Sequence, residues 1–205
     1  MSRIVRFHRI GGPDVLQIDN VDVPAPGPDE IRLRVKAIGL NRAEVMYRSG
    51  AYTFTPRLPA SLGYEASGVV AAVGSNVTGF AEGDAVSVVP AFSFADYGMY
   101  GDVVNVPAHA VVKHPDSLSF EEAAATWMMF VTAYGALIEL GGLQRGDAVL
   151  IGAASSSVGQ AAIQIANHVG AVPIALTRGE AKRQALLDAG AAHVIVGSPA
   201  DLPQQ

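Results

Sequence analysis

The 205-residue chain contains no cysteine. That absence removes disulfides, thiolate nucleophiles and every zinc site built on sulfur. Charge is also scarce. Charged residues make up 16% of the chain, the formal net charge is −5, and the basic residues are scattered, so the basic footprint of a nucleic-acid-binding protein is missing. Long apolar runs are lacking too. The longest mainly apolar stretch, residues 123–138, is interrupted by Thr126, Thr132 and Gly135. It falls short of the roughly 18 uninterrupted apolar residues that a membrane span needs, and no membrane association is expected. Residues 1–10 carry Arg3, Arg6 and Arg9 and lack the apolar run of a signal peptide. A cytoplasmic protein is therefore the expectation. There is no internal repeat, low-complexity segment or charge block.

Hydrophobic residues make up 50% of the chain, enough to bury a sizeable core and too many for general disorder. The length suits one large or two modest domains, and the two halves follow different patterns. Residues 31–37 (IRLRVKA) alternate apolar and charged side chains with the period of a half-buried strand. Residues 69–73 and 85–89 are short β-branched runs near glycine-containing turns, and Pro24, Pro26 and Pro28 mark an extended loop. Many short strands separated by such turns predict a barrel-like or sandwich-like domain.

From about Ser117 the pattern changes. Ser117 and Ser119 precede Glu121 and Glu122, an N-cap signal, and the Ala-rich stretch that follows predicts one helix ending near Gly141-Gly142. Strand, helix, strand, helix, strand follow at 148–151, 158–168, 171–176, 180–188 and 193–196. Gly170 and Gly190 close the two helices. This alternation predicts an α/β parallel sheet wound through right-handed crossovers. The boundary between the halves is expected between Pro115 and Trp127, giving domains 1–120 and 121–205.

The turn after the first of these strands, Ala154-Ser155-Ser156-Ser157-Val158-Gly159, stands where a G-x-G-x-x-G turn would, with only the third glycine kept. Ala154 is small enough for the tight turn. Ser156 puts a small hydroxyl where the backbone must approach a pyrophosphate, and Gly159 permits close helix–strand packing. The first amides of the helix, with its dipole, favour a phosphate. The alternative is a plain serine N-cap. After the second strand, Thr177-Arg178 with Lys182 and Arg183 offers cations rather than the acid that would bind ribose hydroxyls, which favours NADPH over NADH. Glu180 lies close enough to leave room for NADH.

The residues together resemble a known family. The matching segments are 7–16 (FHRIGGPDVL), 35–41 (VKAIGLN), 48–52 (RSGAY) and 62–69 (LGYEASGV), then Val73-Gly74, Gly83-Asp84, 119–124, Thr132-Ala133-Tyr134, 153–159 and 186–195 (LLDAGAAHVI). In this order they resemble the zinc-independent, zeta-crystallin-like quinone oxidoreductases of the medium-chain dehydrogenase/reductase superfamily. The resemblance implies a GroES-like β-rich N-terminal domain followed by a doubly wound Rossmann domain. It also implies NADPH as cofactor and hydride delivery to a quinone or α,β-unsaturated carbonyl compound.

Where metal-using members of the superfamily place a cysteine and a His-Glu pair, this chain has Asn41 and Tyr64-Glu65, and its five histidines lack ligand spacing, so no metal is expected. Glu65 then reads as structural, pairing with Arg48 or a backbone group. Carried over by position, Asn41 and Tyr52 are the catalytic candidates at the substrate end. Thr132, Ala154, Ser155, Ser156, Ser157, Val158, Gly159, Thr177, Arg178 and Lys182 are the cofactor-binding candidates.

Three strands follow Ala148, against six in a complete doubly wound sheet. The chain therefore reads as the N-terminal two-thirds of such an enzyme, a homodimer in its full-length form. A native chain of this length is expected to bind nucleotide weakly and turn over little. Two alternatives stand beside the quinone/enone reductase: a 2-enoyl thioester reductase, including the enoyl-reductase modules of polyketide synthases, and a non-catalytic NADPH-binding protein.

Overall fold

A computed structural model describes residues 1–93 and 95–197 and divides into two units, residues 1–128 and the part from Met129 onward. The first unit begins with β1 (Ser2–Phe7) and β2 (Leu16–Val21), which pair antiparallel. The alternating segment then forms β3 (Glu30–Ile38), with Ile31 and Leu33 fully buried and Arg34 exposed on the other face. A short helix, α1 (Arg42–Arg48), leads to β4 (Ala60–Ser61), β5 (Ala66–Val73), β6 (Ala85–Val88), β7 (Val103–Pro107) and β8 (Val111–Lys113).

Five of these strands make a sheet of order β7-β3-β5-β6-β8, and β2-β1-β4 form a second. The apolar faces of the five-stranded sheet supply the main core, built on Ile31, Leu33, Val70, Val86, Val88 and Val106. A second core holds Phe7, Val15, Tyr47, Leu62 and Tyr64. There Phe7 meets Tyr47 edge-on at 5.6 Å, the arrangement that ring quadrupoles favour.

The single helix expected up to Gly141 is divided. Ser119 caps α2 (Phe120–Ala124) through a capping box with Glu122, as the sequence implies. A turn at Ala125–Thr126 then interrupts the helix, and Thr126 Oγ1 donates to Glu122 O at 2.6 Å, a side-chain bond that competes with the helical ladder. Helix α3 (Trp127–Tyr134) follows and ends in a π-helical segment, Gly135–Leu140.

By length and hydropathy the 21-residue run Phe120–Leu140 passes as a membrane-crossing segment (mean hydropathy 1.4), where the interrupted sequence suggested none. Only 17% of that stretch is buried. Helix α2 lies against β3 and β5, the Ser67 hydroxyl bonds Phe120 O, and Ala133 sits in the core of the second unit. Those contacts tie α2 to the first of the two compact units, which runs to Met128.

In the second unit, β9 (Ala148–Ile151), α4 (Ser157–Val169), β10 (Val172–Thr177), α5 (Arg183–Asp188) and β11 (His193–Val196) alternate as expected. The strands are parallel in the order β11-β10-β9. Helix α4 buries Ala162, Ile163 and Ala166, one face at helical spacing, against the sheet. It ends at Gly170, whose φ of 85° is the left-handed conformation that glycine adopts without a Cβ penalty.

Candidate functional site

In the second unit, the turn the sequence singled out lies between β9 and α4. Ser156 is the N-cap of α4, its side chain accepting from Gly159 N at 3.1 Å. The serine-cap reading is thus realised, yet it leaves the hydroxyl hydrogen available to donate. The amides of Ser157 and Val158, the first two of the helix, have no helical carbonyl within reach and point with the positive end of the helix dipole.

Gly159 is required by space. A Cβ there would lie 2.5–2.6 Å from the backbone O, C and Cα of Ala154, which is itself fully buried. The collision is thus with the turn, where the sequence suggested helix–strand packing. Ala153, before the motif, adopts a φ of +47°, a conformation that costs a non-glycine residue.

A cavity of about 510 Å³ opens beside this turn at the C-terminal ends of the parallel strands, where open α/β sheets bind ligands. Ser155, Thr177, Arg178 and Lys182 line it together with Gly152, Ala153 and Gly179. Lys182 Nζ donates to Ser155 Oγ at 3.0 Å, joining the end of β10 to the turn. Glu180, the acid that left room for ribose binding, is paired with the Arg183 guanidinium, which also donates to Val194 O at 2.8 Å.

The cavity wall therefore offers two cations, hydroxyls and amides, a donor set suited to phosphate. Of the sequence candidates, Ser155, Thr177, Arg178 and Lys182 meet in this wall. Ala154 and Gly159 shape the turn from beneath, and Ser156, Ser157 and Val158 form the helix start. Thr132 is exposed on α3, outside this lining. The glycines at 152 and 179 were not singled out from the sequence, because nothing local marks a residue that merely leaves space.

In the first unit, Asn41 caps α1 and forms a capping box with Glu44: Asn41 N donates to Glu44 Oε2 at 2.7 Å. The other oxygen of Glu44 accepts from Tyr64 N at 3.2 Å. The Tyr64 hydroxyl lies 3.3 Å from that of Tyr52. Glu44 and Tyr64 thus link Asn41 and Tyr52, the two catalytic candidates.

The Asn41 side chain donates through Nδ2 to Glu65 Oε1 at 2.9 Å, and Glu65 Oε2 accepts from Met128 N at 2.8 Å. Of the two partners considered for Glu65, the backbone group is the one observed. Arg48 instead donates to Gly11 O at 2.6 Å. Glu44 and Glu65 are 4% and 2% exposed, and burial pushes both carboxyls above the ordinary glutamate range despite their hydrogen bonds. Burial likewise raises the Tyr64 phenol, with the neighbouring Tyr52 hydroxyl as the next cause. The Asn41 amide and the Tyr52 and Tyr64 hydroxyls are donors of the kind that can orient a carbonyl oxygen.

A GroES-like β unit followed by a parallel sheet with a phosphate-type turn defines a medium-chain dehydrogenase/reductase. The family model "Alcohol dehydrogenase GroES-like domain" matches residues 27–116. The chain is 38% identical to the mouse protein named synaptic vesicle membrane protein VAT-1 homolog-like, over 91% of this chain and 43% of that protein. It is 36% identical to human quinone oxidoreductase, over 95% of this chain and 58% of that one. The crystal structure of Escherichia coli quinone oxidoreductase complexed with NADPH superposes with a TM-score of 0.84 at 36% identity, covering 95% of this chain and 58% of that one. Within its class, the chain belongs to the zeta-crystallin-like quinone oxidoreductase family. It spans about half the length of the curated relatives it matches.

Proposed function

We propose that this chain carries the acceptor-binding unit and the first nucleotide-binding half of an NADPH-dependent reductase acting on quinones or α,β-unsaturated carbonyl compounds. The observation that carries the reading is the cavity beside the β9–α4 turn, with Arg178 and Lys182 in its wall and Glu180 paired away by Arg183. A 2′-phosphate would meet two cations there and no free carboxylate, whereas a ribose hydroxyl would find no acid to accept its hydrogen bond. Ser155, Ser157 and Val158 would hold the pyrophosphate, with Thr177 at its edge.

When bound, the cofactor supplies the hydride. The chain's own residues bind and orient the acceptor. Asn41 directs its amide at the oxygen that gains negative charge, and the Tyr52 hydroxyl, backed by Tyr64, is the second donor to it. Such donors suit acceptors that take hydride without a metal to polarise the carbonyl. A homodimer of the full-length form in the cytoplasm belongs to the same proposal.

The test, in the full-length form, is NADPH consumption at 340 nm with 1,4-naphthoquinone, a conjugated enone and an enoyl thioester, and parallel titrations of NADPH and NADH. Tighter NADPH binding, with turnover of the quinone or enone, supports the proposal. Preference for the thioester would favour the enoyl reductase alternative. NADPH binding without turnover of any of the three would favour the non-catalytic one.

A further inference from the structure

Among the buried titratable groups without a role in the proposed function, Glu65 stands out. Glu65 is 2% exposed and, among the described residues, pairs with no cation; both its oxygens accept from neutral donors. One donor is the Asn41 side chain, 24 residues away in sequence, and the other is Met128 N, 63 residues away. Met128 lies in the first turn of α3, whose opening amides need an acceptor from outside the helix and gain from a negative charge.

Space is reserved for this carboxylate. A Cβ on Gly39 would stand 2.4 Å from both Cγ and Oε1 of Glu65, and Gly39 N donates to Glu65 O at 3.2 Å. Burying a carboxylate is costly unless every bond it makes is needed, so the arrangement calls for a purpose.

We infer that Glu65 is a positioning residue for Asn41, holding its amide plane between β5 and α3 so that Asn41 presents an N–H to the acceptor oxygen. This role of Glu65 rests on the proposed role of Asn41. An amide nitrogen has two N–H bonds, so one bond to Glu65 fixes its plane without exhausting its donors. Only a carboxylate can accept from two donors at once with two oxygens. Glutamine at 65 could serve one of them and would turn its own NH₂ toward the other. Met128 N is fixed in the helix, while the Asn41 amide is otherwise held only by the capping bond its oxygen accepts from Glu44 N, and it can turn at the cost of that bond. The glutamine variant should therefore keep the bond to α3 and turn the Asn41 amide away.

The experiment is a double-mutant cycle of Glu65→Gln and Asn41→Ala. Its readouts are the melting temperature, the Kd for 1,4-naphthoquinone from quenching of Trp127, and kcat and KM with NADPH. The expected result is a folded Glu65→Gln protein with an unchanged KM for NADPH. Its quinone binding and kcat should fall roughly tenfold to a hundredfold, as displacement of a positioned group does. The double variant should be no worse than Asn41→Ala alone, because both remove the same donor.

Additive losses, or an unimpaired Glu65→Gln in a background where Asn41→Ala is impaired, would overturn the role of Glu65 alone. A silent Asn41→Ala, or a wild type that binds no quinone, would overturn the proposed function and this inference with it. Should Glu65→Gln not fold, Glu65→Asp keeps the charge and retracts it by one methylene, and the same non-additivity with Asn41→Ala is required of it.

Discussion

Removing the cations at the end of β10 should convert a cofactor preference into indifference. Arg178 and Lys182 line the cavity beside the β9–α4 turn, and Lys182 also bonds Ser155 Oγ at 3.0 Å. Both side chains are exposed, so a pair with phosphate is partly screened and belongs at the lower end of the range for charged hydrogen bonds, about 1.5 kcal/mol. That corresponds to about tenfold in Kd. Lys182→Ala and Arg178→Ala should each weaken NADPH binding about tenfold, and the pair together approaches a hundredfold if the two act independently.

NADH lacks the 2′-phosphate, so its Kd should move by less than about twofold in each variant. Fluorescence titration of both nucleotides at two salt concentrations makes the comparison. The NADPH advantage should shrink as salt rises in the wild type and be nearly flat in the double variant. Equal weakening of NADPH and NADH would refute the reasoning. It would mean that the two cations shape the cavity or contact the pyrophosphate and do not read the 2′-phosphate.

Three further outcomes follow from the geometry. Gly159→Ala puts a Cβ 2.5 Å from Ala154 O, and a thermal melt should show a loss of about 1–3 kcal/mol with weakened nucleotide binding; an unchanged melting temperature would contradict the packing described. Ser156→Ala removes the cap on α4 and should cost about 1 kcal/mol, read in urea unfolding as a lower midpoint at an unchanged slope. Glu44, raised by burial above its ordinary value of 4.5, holds its proton more tightly folded than unfolded. Stability from this group is therefore fullest below that value and declines as pH rises toward the folded value, so Glu44→Gln should flatten that decline relative to wild type; a decline of equal slope in both proteins would be the contrary result.

Local patterns carried most of the architecture. The alternation in residues 31–37 became β3 because one sheet face is buried, and the strand–helix succession after Ala148 became a parallel sheet because its apolar helix faces need one to cover. The division of the helix at Ala125–Thr126 was not legible, since both residues suit a helix interior and the break depends on Thr126 bonding Glu122 O. Nor was the bond that Glu65 accepts from Met128 N, 63 residues away.

At the candidate sites the pattern was similar. The serine turn and the basic residues after β10 were readable because they are neighbours in sequence. The Asn41-x-x-Glu44 spacing is a capping-box signal that was not used in reading the sequence, and the second bond of Glu44, to Tyr64 N, is tertiary. The pairing of Tyr52 with Tyr64 and of Asn41 with Glu65 arises only when β5 folds beside α1.

In the proposed function the β9–α4 turn and the end of β10 hold the phosphates of NADPH. Amide chemical-shift mapping of the labelled chain during an NADPH titration reads those residues one by one. The largest shifts are expected at Ser155, Ser157, Val158 and Gly159 and from Thr177 to Lys182, with smaller ones there for NADH. Saturable NADPH shifts confined to other residues, with this set unmoved, would contradict it.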